Sequence, residues 1–507
     1  MTVAMIAVAL LPVALVLYVL LGKRNGAHGF RGVTEYPIFG CLLGLPFADI
    51  QGYGMEIVED SDHETMCMTV PGNARTWVTS DVRDIEVVLG KPGPDRFDKG
   101  PRFRSNFFDL LGRGIFNSDG ADWLVQRKVA SHLFSAARLK QQQELVFVRD
   151  AERLAALLCA RRGEVIDLQN ALYALTFDSF CEIAFGVSFG ALEQTLEKNA
   201  KPAFLDAFDQ AVATTTGRFP LPRGVWQLMS AFRIGQEGRM RAHMKLIDDT
   251  VFDLVDKVLA LSPDELVARS DLLGLYAAHA HKTGDASLLD RKFLRDVVIN
   301  FILAGRDTTA STLTSFFRLM GHFGDERARV EAEVDSVRGA LTYDVLTKEH
   351  VFMNACIQET LRLFPPVPSD SKIYASDEPL TLPSGPKLKR NDIIAYKIAG
   401  VQRNRRYWAA PHDFRPQRWI DKSDVMWSKP VEQHQFYFLA FHAGRRLCLG
   451  KGMANVEAAT CIATLLRAKL RFELVGADDL RTWRNTWTPT AVIALKRGLH
   501  VRVEQRS

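Results

Sequence analysis

Apolar side chains follow a helical spacing through most of the middle of the chain. Between about residues 120 and 365 they recur every three or four positions, as in Met240, Met244, Ile247, Val251, Leu254 and Val258. This spacing places them on one face of a helix, which then faces a core. Short apolar runs between turn residues predict strands near residues 380–382 and 393–396, and a hairpin over 490–503 around Gly498. The pattern therefore predicts a mainly α fold with small β-sheets.

The amino-terminal residues follow a different pattern, because positions 2–21 carry no charged side chain. Roughly 20 residues at about 1.5 Å per residue span the hydrocarbon core of a bilayer, which is about 30 Å thick. Lys23 and Arg24 follow directly, and basic residues mark the cytosolic side of such a helix. We predict a transmembrane signal anchor at residues 1–22 and a hinge or linker at 23–46. A cleaved signal peptide is the alternative, but its apolar run would be about 7–15 residues and would follow a basic segment.

Composition narrows the class of protein. The 507 residues are 47% hydrophobic and 24% charged, as in globular proteins. The 64 basic and 59 acidic side chains leave a net charge of +5, which is too small over this length to indicate a nucleic-acid-binding module. The seven cysteines are too few for a disulfide scaffold, and their number is odd. A reducing compartment is therefore expected for the main body of the chain.

One cysteine, Cys448, lies in a segment whose pattern favours a thiolate. The run FHAGRRLCLG, residues 441–450, places Gly444 and Gly450 on either side of Cys448 and opens a predicted helix near Gly450. Backbone N–H groups and the positive end of that helix both stabilise a negative sulfur. A thiolate without neighbouring Cys or His ligands does not build a zinc site, but it serves as the single protein ligand of haem iron. Phe441 is then expected to cover the sulfur, and Arg446 to reach a haem propionate; a buried structural cysteine is the alternative.

A second candidate cluster is a network of charged side chains. Glu359 and Arg362 are three positions apart in a helical segment that ends at Pro365-Pro366, so their side chains share a face. Arg418 offers a third member, and the three are expected to brace the loop that leads to Cys448. Such networks specify geometry more than they add stability. An exposed ion pair is the alternative interpretation.

A third candidate site interrupts a long amphipathic helix predicted over residues 296–320. Gly305 weakens the helix at this point, and threonine side chains bond back to carbonyls one turn earlier, so a local distortion is expected. If this turn lies over the iron, Thr308 hydrogen-bonds dioxygen while Asp307 relays protons. A capped helix end is the alternative, but the apolar periodicity continues through Leu313 and Phe316.

Together these segments resemble the cytochrome P-450 superfamily of haem-thiolate monooxygenases. The cysteine loop matches F-x-x-G-x-R-x-C-x-G, residues 359–362 match E-x-x-R, and residues 304–309 match A-G-x-D-T-T. Trp123 and Arg127 match W-x-x-x-R, and the resemblance places Arg127 at a haem propionate. It extends from about residue 37 to residue 503. The resemblance implies a single large haem-thiolate monooxygenase domain over 47–507 behind an N-terminal transmembrane helix.

The resemblance also implies a set of site residues. Asp307 and Thr308 are expected to be catalytic, and Cys448 is expected to bind the iron of haem b. The residues expected to bind or support the cofactor are Trp123, Arg127, Glu359, Arg362, Lys372, Arg418, Phe441, Arg446 and Gly450. Lys372 stands where the family usually carries an arginine, so this contact becomes monodentate. Ala304 stands where some animal fatty-acid hydroxylases carry a glutamate that esterifies haem, so covalent haem is not expected.

Residues 301–309, 111–117 and 175–178 look like those of plant and microbial long-chain fatty-acid omega-hydroxylases. The expected reaction is insertion of one atom of dioxygen into a C–H bond of a lipophilic substrate, with omega or in-chain hydroxylation of a fatty acid. Arg102 and Arg104, near Phe97, Phe103, Phe107 and Phe108, are candidate anchors for a carboxylate, although they also fit solvated loop charges. Sterol, terpenoid and aromatic substrates are the alternatives.

The implied partners are an NADPH-dependent flavoprotein reductase, cytochrome b5 and the lipid bilayer. The sequence has no G-x-G-x-x-G nicotinamide fingerprint, so an external reductase must supply the electrons. Lys128, Arg445 and Lys451 are expected to steer it to the protein. These expectations place the chain in the endoplasmic reticulum membrane as a single-pass protein with a cytosolic catalytic domain.

Three other classes of function are alternatives for this sequence. Residues 186–190 fit the G-x-S-x-G nucleophile elbow of hydrolases, with Ser188 as nucleophile, but helical spacing upstream provides no strand. A haem-thiolate isomerase or dehydratase acts on hydroperoxides without dioxygen, and a haem sensor has no catalytic role. Asp307 and Thr308 disfavour both, because oxygen activation uses such a pair.

Overall fold

The computed structural model describes residues 24–25 and 34–35, and residues 54–506 apart from 57, 60–61, 63, 70–73, 92–94, 477–478, 481–482, 484–485 and 489. The anchor predicted at residues 1–22 lies outside the described residues. Of the predicted linker, only a short antiparallel pair is described, β1 (Arg24–Asn25) with β2 (Thr34–Glu35). None of the helices within these described residues is both long enough and apolar enough to cross a membrane.

The described part of the chain is mainly helical, as the apolar spacing predicts. The α-helices in chain order are α1 (Val82–Leu89), α2 (Gly100–Leu111), α3 (Gly120–Ser131), α4 (Ala136–Gln142), α5 (Val148–Cys159), α6 (Leu168–Phe185), α7 (Ala191–Leu196), α8 (Ala203–Gly217), α9 (Arg223–Ala231), α10 (Gly235–Leu259), α11 (Pro263–Ala268), α12 (Leu272–Thr283), α13 (Arg291–Ile302), α14 (Thr308–His322), α15 (Gly324–Ser336), α16 (Val351–Leu363), α17 (Ile398–Gln402), α18 (Gln417–Asp421), α19 (Val431–Tyr437) and α20 (Lys451–Arg467). A single π-helical turn, Leu303–Asp307, joins α13 to α14 and keeps them in one continuous rod.

The strands form small sheets beside the helices. The larger sheet consists of β3 (Met66–Met68), β4 (Thr76–Thr79), β5 (Phe97–Asp98), β7 (Ser369–Tyr374) and β10 (Ile393–Lys397). Its order is β3-β4-β10-β7-β5, in which β4 and β10 are parallel and the other pairs antiparallel. A second sheet has the order β11-β12-β6, formed by β11 (Leu470–Leu474), β12 (His500–Gln505) and β6 (Val165–Asp167), and a third pairs β8 (Leu380–Thr381) with β9 (Lys387–Leu388).

The main core lies around α14, which packs against α6, α16 and α20. Almost every residue of α6 is buried, and some of its polar side chains bond other elements. The Thr176 hydroxyl donates to the Arg306 carbonyl (2.9 Å), and the Asp178 carboxylate accepts from the Leu192 N–H (2.9 Å). A second apolar cluster packs against the larger sheet. The site residues expected from the sequence lie on several of these elements, including α3, α16, β7, α18, the loop that precedes α20 and the π-turn with the start of α14.

The strands predicted near residues 380–382 and 393–396 are confirmed as β8 and β10. The hairpin predicted over 490–503 is wrong. Gly498 has φ +72° and forms a turn, but β12 after it pairs with β11 and β6 and not with the preceding described residues. Leu495 instead forms an isolated bridge to Trp487.

Candidate active site

The loop that carries Cys448 is fixed by its own backbone. It runs from Phe441 through a short 3-10 turn at Gly444–Arg446 to the start of α20. The Cys448 N–H donates to the Phe441 carbonyl over 2.9 Å. Gly444 has φ +64°, and a Cβ at this position would lie 1.9 Å from the Leu89 carbonyl oxygen. Glycine is therefore required at position 444 by both conformation and space.

The second glycine of the loop, Gly450, acts through its backbone. Its φ is −83°, and a Cβ there would make ordinary contacts, 3.6 Å from Phe134 and 3.9 Å from the Cys448 sulfur. Space and conformation therefore do not demand glycine at this position. The backbone N–H groups of Gly450 and Lys451 lower the pKa of the Cys448 thiol. The Phe441 ring lies 5.6 Å from the Lys451 ammonium.

Cys448 combines an enclosed position with an exposed sulfur. Burial raises the pKa of its thiol, and the two backbone N–H groups together with the Arg127 and Lys451 charges oppose that effect. The side chain is nevertheless exposed. A metal cation bound to a thiol displaces its proton. The surroundings therefore fit a sulfur that becomes a thiolate when it binds a metal.

Trp123 brings two of the predicted cofactor residues together. It lies on α3, buried, with the Arg446 guanidinium 4.5 Å and the Arg127 guanidinium 5.5 Å from its ring centroid. Arg446 donates to the Asp119 carboxylate (2.7 Å) and to the Ser118 carbonyl (3.0 Å). Two guanidinium groups are thus held on one aromatic side chain beside the cysteine loop.

Lys372, on β7, lies inside the protein without a hydrogen-bond acceptor. Its side chain is 4% exposed, and its Nζ has no partner among the described residues. Burial and the neighbouring charge of Lys99 hold the pKa of Lys372 well below its usual value. The nearby Asp370 is already bonded to Lys99 over 2.9 Å, and Arg446 adds a further positive charge. This pocket therefore fits a ligand that carries carboxylate groups.

The predicted contacts of Glu359 with Arg362 and Arg418 are confirmed. Arg362 donates to both oxygens of Glu359, over 2.8 and 2.9 Å, and Arg418 donates to Oε1 over 3.1 Å. Arg418 also bonds Asp424 (2.7 Å), and the Trp419 indole donates to Glu359 (2.9 Å). The first three side chains are almost fully buried. The network ties α16 to α18, in the segment that precedes the cysteine loop.

The predicted distortion of the long helix is confirmed as the π-turn Leu303–Asp307. The Thr308 hydroxyl donates to the Ala304 carbonyl over 2.8 Å. Between residues 294 and 320, Ala304, Gly305 and Thr308 are half-buried, and every other residue is buried. These three positions lie at one turn and mark the least enclosed part of this stretch.

The side chain of Asp307 contacts different residues from those that the side chain of Thr308 contacts. Its Oδ1 lies 3.1 Å from Arg306 Nη1 but makes no hydrogen bond of good geometry. Burial raises the pKa of Asp307 to about 7, and Arg306 opposes that shift. The carboxyl group is therefore able to hold or release a proton near neutral pH. The structure shows no hydrogen bond between Asp307 and Thr308.

Two polar groups near the π-turn were not predicted from the sequence. Asp209 on α8 is bonded to Arg306 (2.6 Å), and Glu457 on α20 accepts from Ser179 (2.5 Å). Burial raises the pKa of Glu457 to about 8. Charged residues inside otherwise apolar helical stretches, as at 306 and 457, are the signal in the sequence that points to such groups.

The hydrolase alternative loses its structural basis. Ser188 is exposed and lies in the turn between α6 and α7, after Gly186 ends α6 with φ +71°. A nucleophile elbow must join a strand to a helix. The element that leads to Ser188 is the helix α6 and not a strand, so the structure gives no support to a serine nucleophile there.

The comparisons with known proteins agree on one family. The family model described as Cytochrome P450 matches residues 31–497. The chain is 35% identical over 445 residues to Cytochrome P450 CYP94D108 of Paris polyphylla, covering 85% of this chain and 84% of that protein. It is 34% identical over 471 residues to Cytochrome P450 86B1 of Arabidopsis thaliana, covering 87% and 81%.

Among solved structures, the cytochrome P450DA heme domain matches with a TM-score of 0.73 and 20% identity, covering 94% of this chain and 97% of that one. This likeness concerns the fold. The family model and the sequence relatives concern most of the chain's length. The chain therefore belongs to the cytochrome P450 family of haem monooxygenases, which bind haem through a cysteine thiolate and take electrons from an external reductase.

Proposed function

We propose that this P450 is anchored in a membrane and hydroxylates a long-chain fatty acid, with Cys448 as the haem ligand. The observation that carries the assignment of the site is the surroundings of Cys448, where two backbone N–H groups and the charges of Arg127 and Lys451 lower the pKa of an exposed cysteine. The uncharged run at positions 2–21 supports the anchor, and with it the endoplasmic reticulum membrane as the location.

The residues beside the cysteine loop fit haem. Lys372 has no acceptor of its own, and Arg127 and Arg446 lie nearby on Trp123, so these cations suit the two propionates. The N–H of Gly450 favours the ionised sulfur by lowering its pKa, and the Phe441 carbonyl accepts the Cys448 N–H. When bound, haem supplies the reduction of dioxygen by two electrons and two protons, with one oxygen atom entering a C–H bond and the other leaving as water.

In this proposal, side chains at the π-turn hold and deliver protons to the active site. Ala304 and Thr308 are half-buried at this turn, and the Thr308 hydroxyl, which donates to the Ala304 carbonyl, keeps its oxygen lone pairs as acceptors. Asp307 holds a proton on its carboxyl group near neutral pH. Releasing this proton leaves a carboxylate beside the positive charge of Arg306, which stabilises it.

Arg102 is the anchor we propose for the substrate carboxylate. Arg104, the other candidate, is bonded to Asp119 over 2.6 Å. Arg102 donates to the Phe219 carbonyl and has no carboxylate partner among the described residues. It stands beside a cluster of aromatic rings, since the centroids of Phe103, Phe107 and Phe219 lie 5.1–5.6 Å apart. A cation next to apolar rings suits a fatty acid better than a sterol.

The redox partner we propose is an NADPH-dependent flavoprotein reductase, with cytochrome b5 as a second donor. Lys128, Arg445 and Lys451 all have exposed side chains around the cysteine loop and α3. An acidic partner surface would be attracted to this group of charges, and the attraction would weaken as salt is added.

Two spectra test the proposal. The reduced carbonyl complex of the wild type should show the Soret band of thiolate-ligated haem, and C448S should lose it while the matched variant C461S keeps it. Spin-state titration with fatty acids should then show saturable binding, weakened at least tenfold in R102M but not in R104M, since a charge-assisted hydrogen bond contributes about 1.5–3 kcal/mol. A histidine-type band would contradict the ligand. Shifts with sterols but not with fatty acids would contradict the substrate.

A further inference from the structure

Arg306 connects two carboxylates that come from different helices. It occupies the position between Gly305 and Asp307 in the π-turn, and its side chain is 1% exposed. Its Nη1 donates to Asp209 Oδ1 over 2.6 Å and lies 3.1 Å from Asp307 Oδ1. Asp209 belongs to α8, so the guanidinium joins the proton-holding acid to a helix outside the rod formed by α13 and α14.

The charge pattern continues from Asp209 towards the surface. Lys201 Nζ lies 2.7 Å from Asp209 Oδ2 and 3.4 Å from Asp206 Oδ1. Lys201 and Asp209 are each about one third exposed, whereas Asp206 is 55% exposed. A row of alternating charges therefore runs from solvent through Lys201, Asp209 and Arg306 to Asp307.

The remaining titratable group at this point comes from α6. The Arg306 guanidinium lies 4.8 Å from the Tyr173 ring centroid, and burial together with the charge of Asp307 holds the pKa of Tyr173 well above its usual value. Tyr173 therefore stays neutral and carries no charge that could compensate Asp307. The groups that set the charge balance around Asp307 are Arg306, Asp209, Lys201 and Tyr173.

The two carboxylates are not held equally. Burial raises the pKa of Asp209, but the charges and hydrogen bonds of Arg306 and Lys201 outweigh burial and hold it below its usual value. Asp307 has only the poorly aligned contact with Arg306, and the negative charge of Asp209 adds to the effect of burial. Arg306 therefore stabilises the negative charge of Asp209 more than that of Asp307.

We propose that Asp209 and Lys201 are positioning residues that determine, through Arg306, whether Asp307 holds a proton, and so link α8 to the proton supply of the active site. This inference rests on the proposed function of Asp307. The step is a proton transfer alone. The neutral carboxyl loses its proton to become a carboxylate, solvent returns a proton, and Arg306 stays protonated throughout.

Two variants change the charge balance in opposite directions. D209N removes one negative charge and leaves Arg306 free to pair with Asp307, so Asp307 should lose its proton about one pH unit lower than in the wild type. K201M leaves the charge of Asp209 less compensated, so Asp307 should keep its proton to a higher pH. D206N is the matched control, because Asp206 contacts the same lysine but not Arg306, and it should titrate as the wild type does.

Infrared difference titration of the haem-loaded enzyme measures the carboxylic acid C=O stretch, which D307N assigns to Asp307. The fraction of electrons that ends in hydroxylated product is also measured against pH. Its pH dependence should shift in the same direction as the titration of Asp307, since protonated Asp307 is required. Unchanged titrations in D209N and K201M, or shifts of the same sign in both, would overturn the inference. A wild type that titrates as expected but yields no product would instead overturn the proposed hydroxylation.

Discussion

The amino group of Lys372 fits a ligand that carries carboxylates, but it destabilises the chain when no ligand is bound. It is buried without an acceptor and lies near a second lysine, Lys99, which already occupies Asp370. We predict that K372M stabilises the haem-free chain by about 1–3 kcal/mol, because an unsatisfied buried polar group is removed. The same variant should lose haem faster, because a partner of a propionate is lost. Urea unfolding and haem transfer to apomyoglobin measure the two effects.

K99M is the control for this prediction. Lys99 is bonded to Asp370 over 2.9 Å, so its removal leaves a buried carboxylate without its cation and should destabilise the haem-free chain. If K372M and K99M changed the free energy of unfolding in the same direction, Lys372 would not be an unsatisfied group awaiting a ligand.

At the scale of residues, the sequence predicts contacts between side chains that are close along the chain. Glu359 and Arg362 are one helical turn apart, so helix geometry alone places them together. The bonds of Arg306 to Asp209 and of Ser179 to Glu457 join residues 97 and 278 positions apart. Such pairs depend on how whole helices pack, which no local pattern contains.

At the scale of elements, the π-turn requires the absence of a side chain at Gly305. A Cβ there would lie 2.0 Å from the Phe180 ring on α6, and aromatic ring atoms have no space to retreat within a filled core. We predict that G305A destabilises the protein by about 1–3 kcal/mol, the usual cost of overpacking. The thermal unfolding midpoint and the haem content measure this effect.

Gly224 on α9 provides the matched control, since a Cβ at that position meets nothing within 4 Å. G224A should leave stability unchanged or raise it slightly, because alanine favours a helix over glycine. Adding F180L to G305A should recover part of the loss by removing ring atoms at the contact. A G305A protein as stable as the wild type would contradict the tight packing of α6 against the turn.

Helices were predictable as elements because their apolar faces repeat within a few residues, and the distortion at Gly305 follows from local chemistry. Strand pairing was less predictable. The apolar run that became β12 is visible in the sequence, but its partners are β11 and β6, one of them more than 300 positions earlier. A strand's pattern indicates which face is buried without indicating which neighbour it meets.

At the scale of the whole molecule, Glu359 holds distant segments in one arrangement. Arg362 connects it to the carbonyls of Gln402, Pro411 and Asp413, and Arg418 connects it to Asp424. We predict that E359Q lowers the free energy of unfolding by about 3–5 kcal/mol, because two buried guanidinium groups lose their shared carboxylate. Haem content after purification should fall as well, since these segments precede the loop of Cys448.

The exposed ion pair between Arg390 and Asp377 is the control for E359Q. It distinguishes loss of the buried network from loss of an ion pair in general. Its two groups lie 2.6 Å apart, as close as those in the buried network, but both are more than half exposed. D377N should therefore leave the unfolding midpoint and the haem content unchanged, since solvent screens an exposed pair. If D377N and E359Q lowered the midpoint equally, the position of Glu359 in the core would not matter. A large loss confined to E359Q would place the network among the features that hold the cysteine loop for its cofactor.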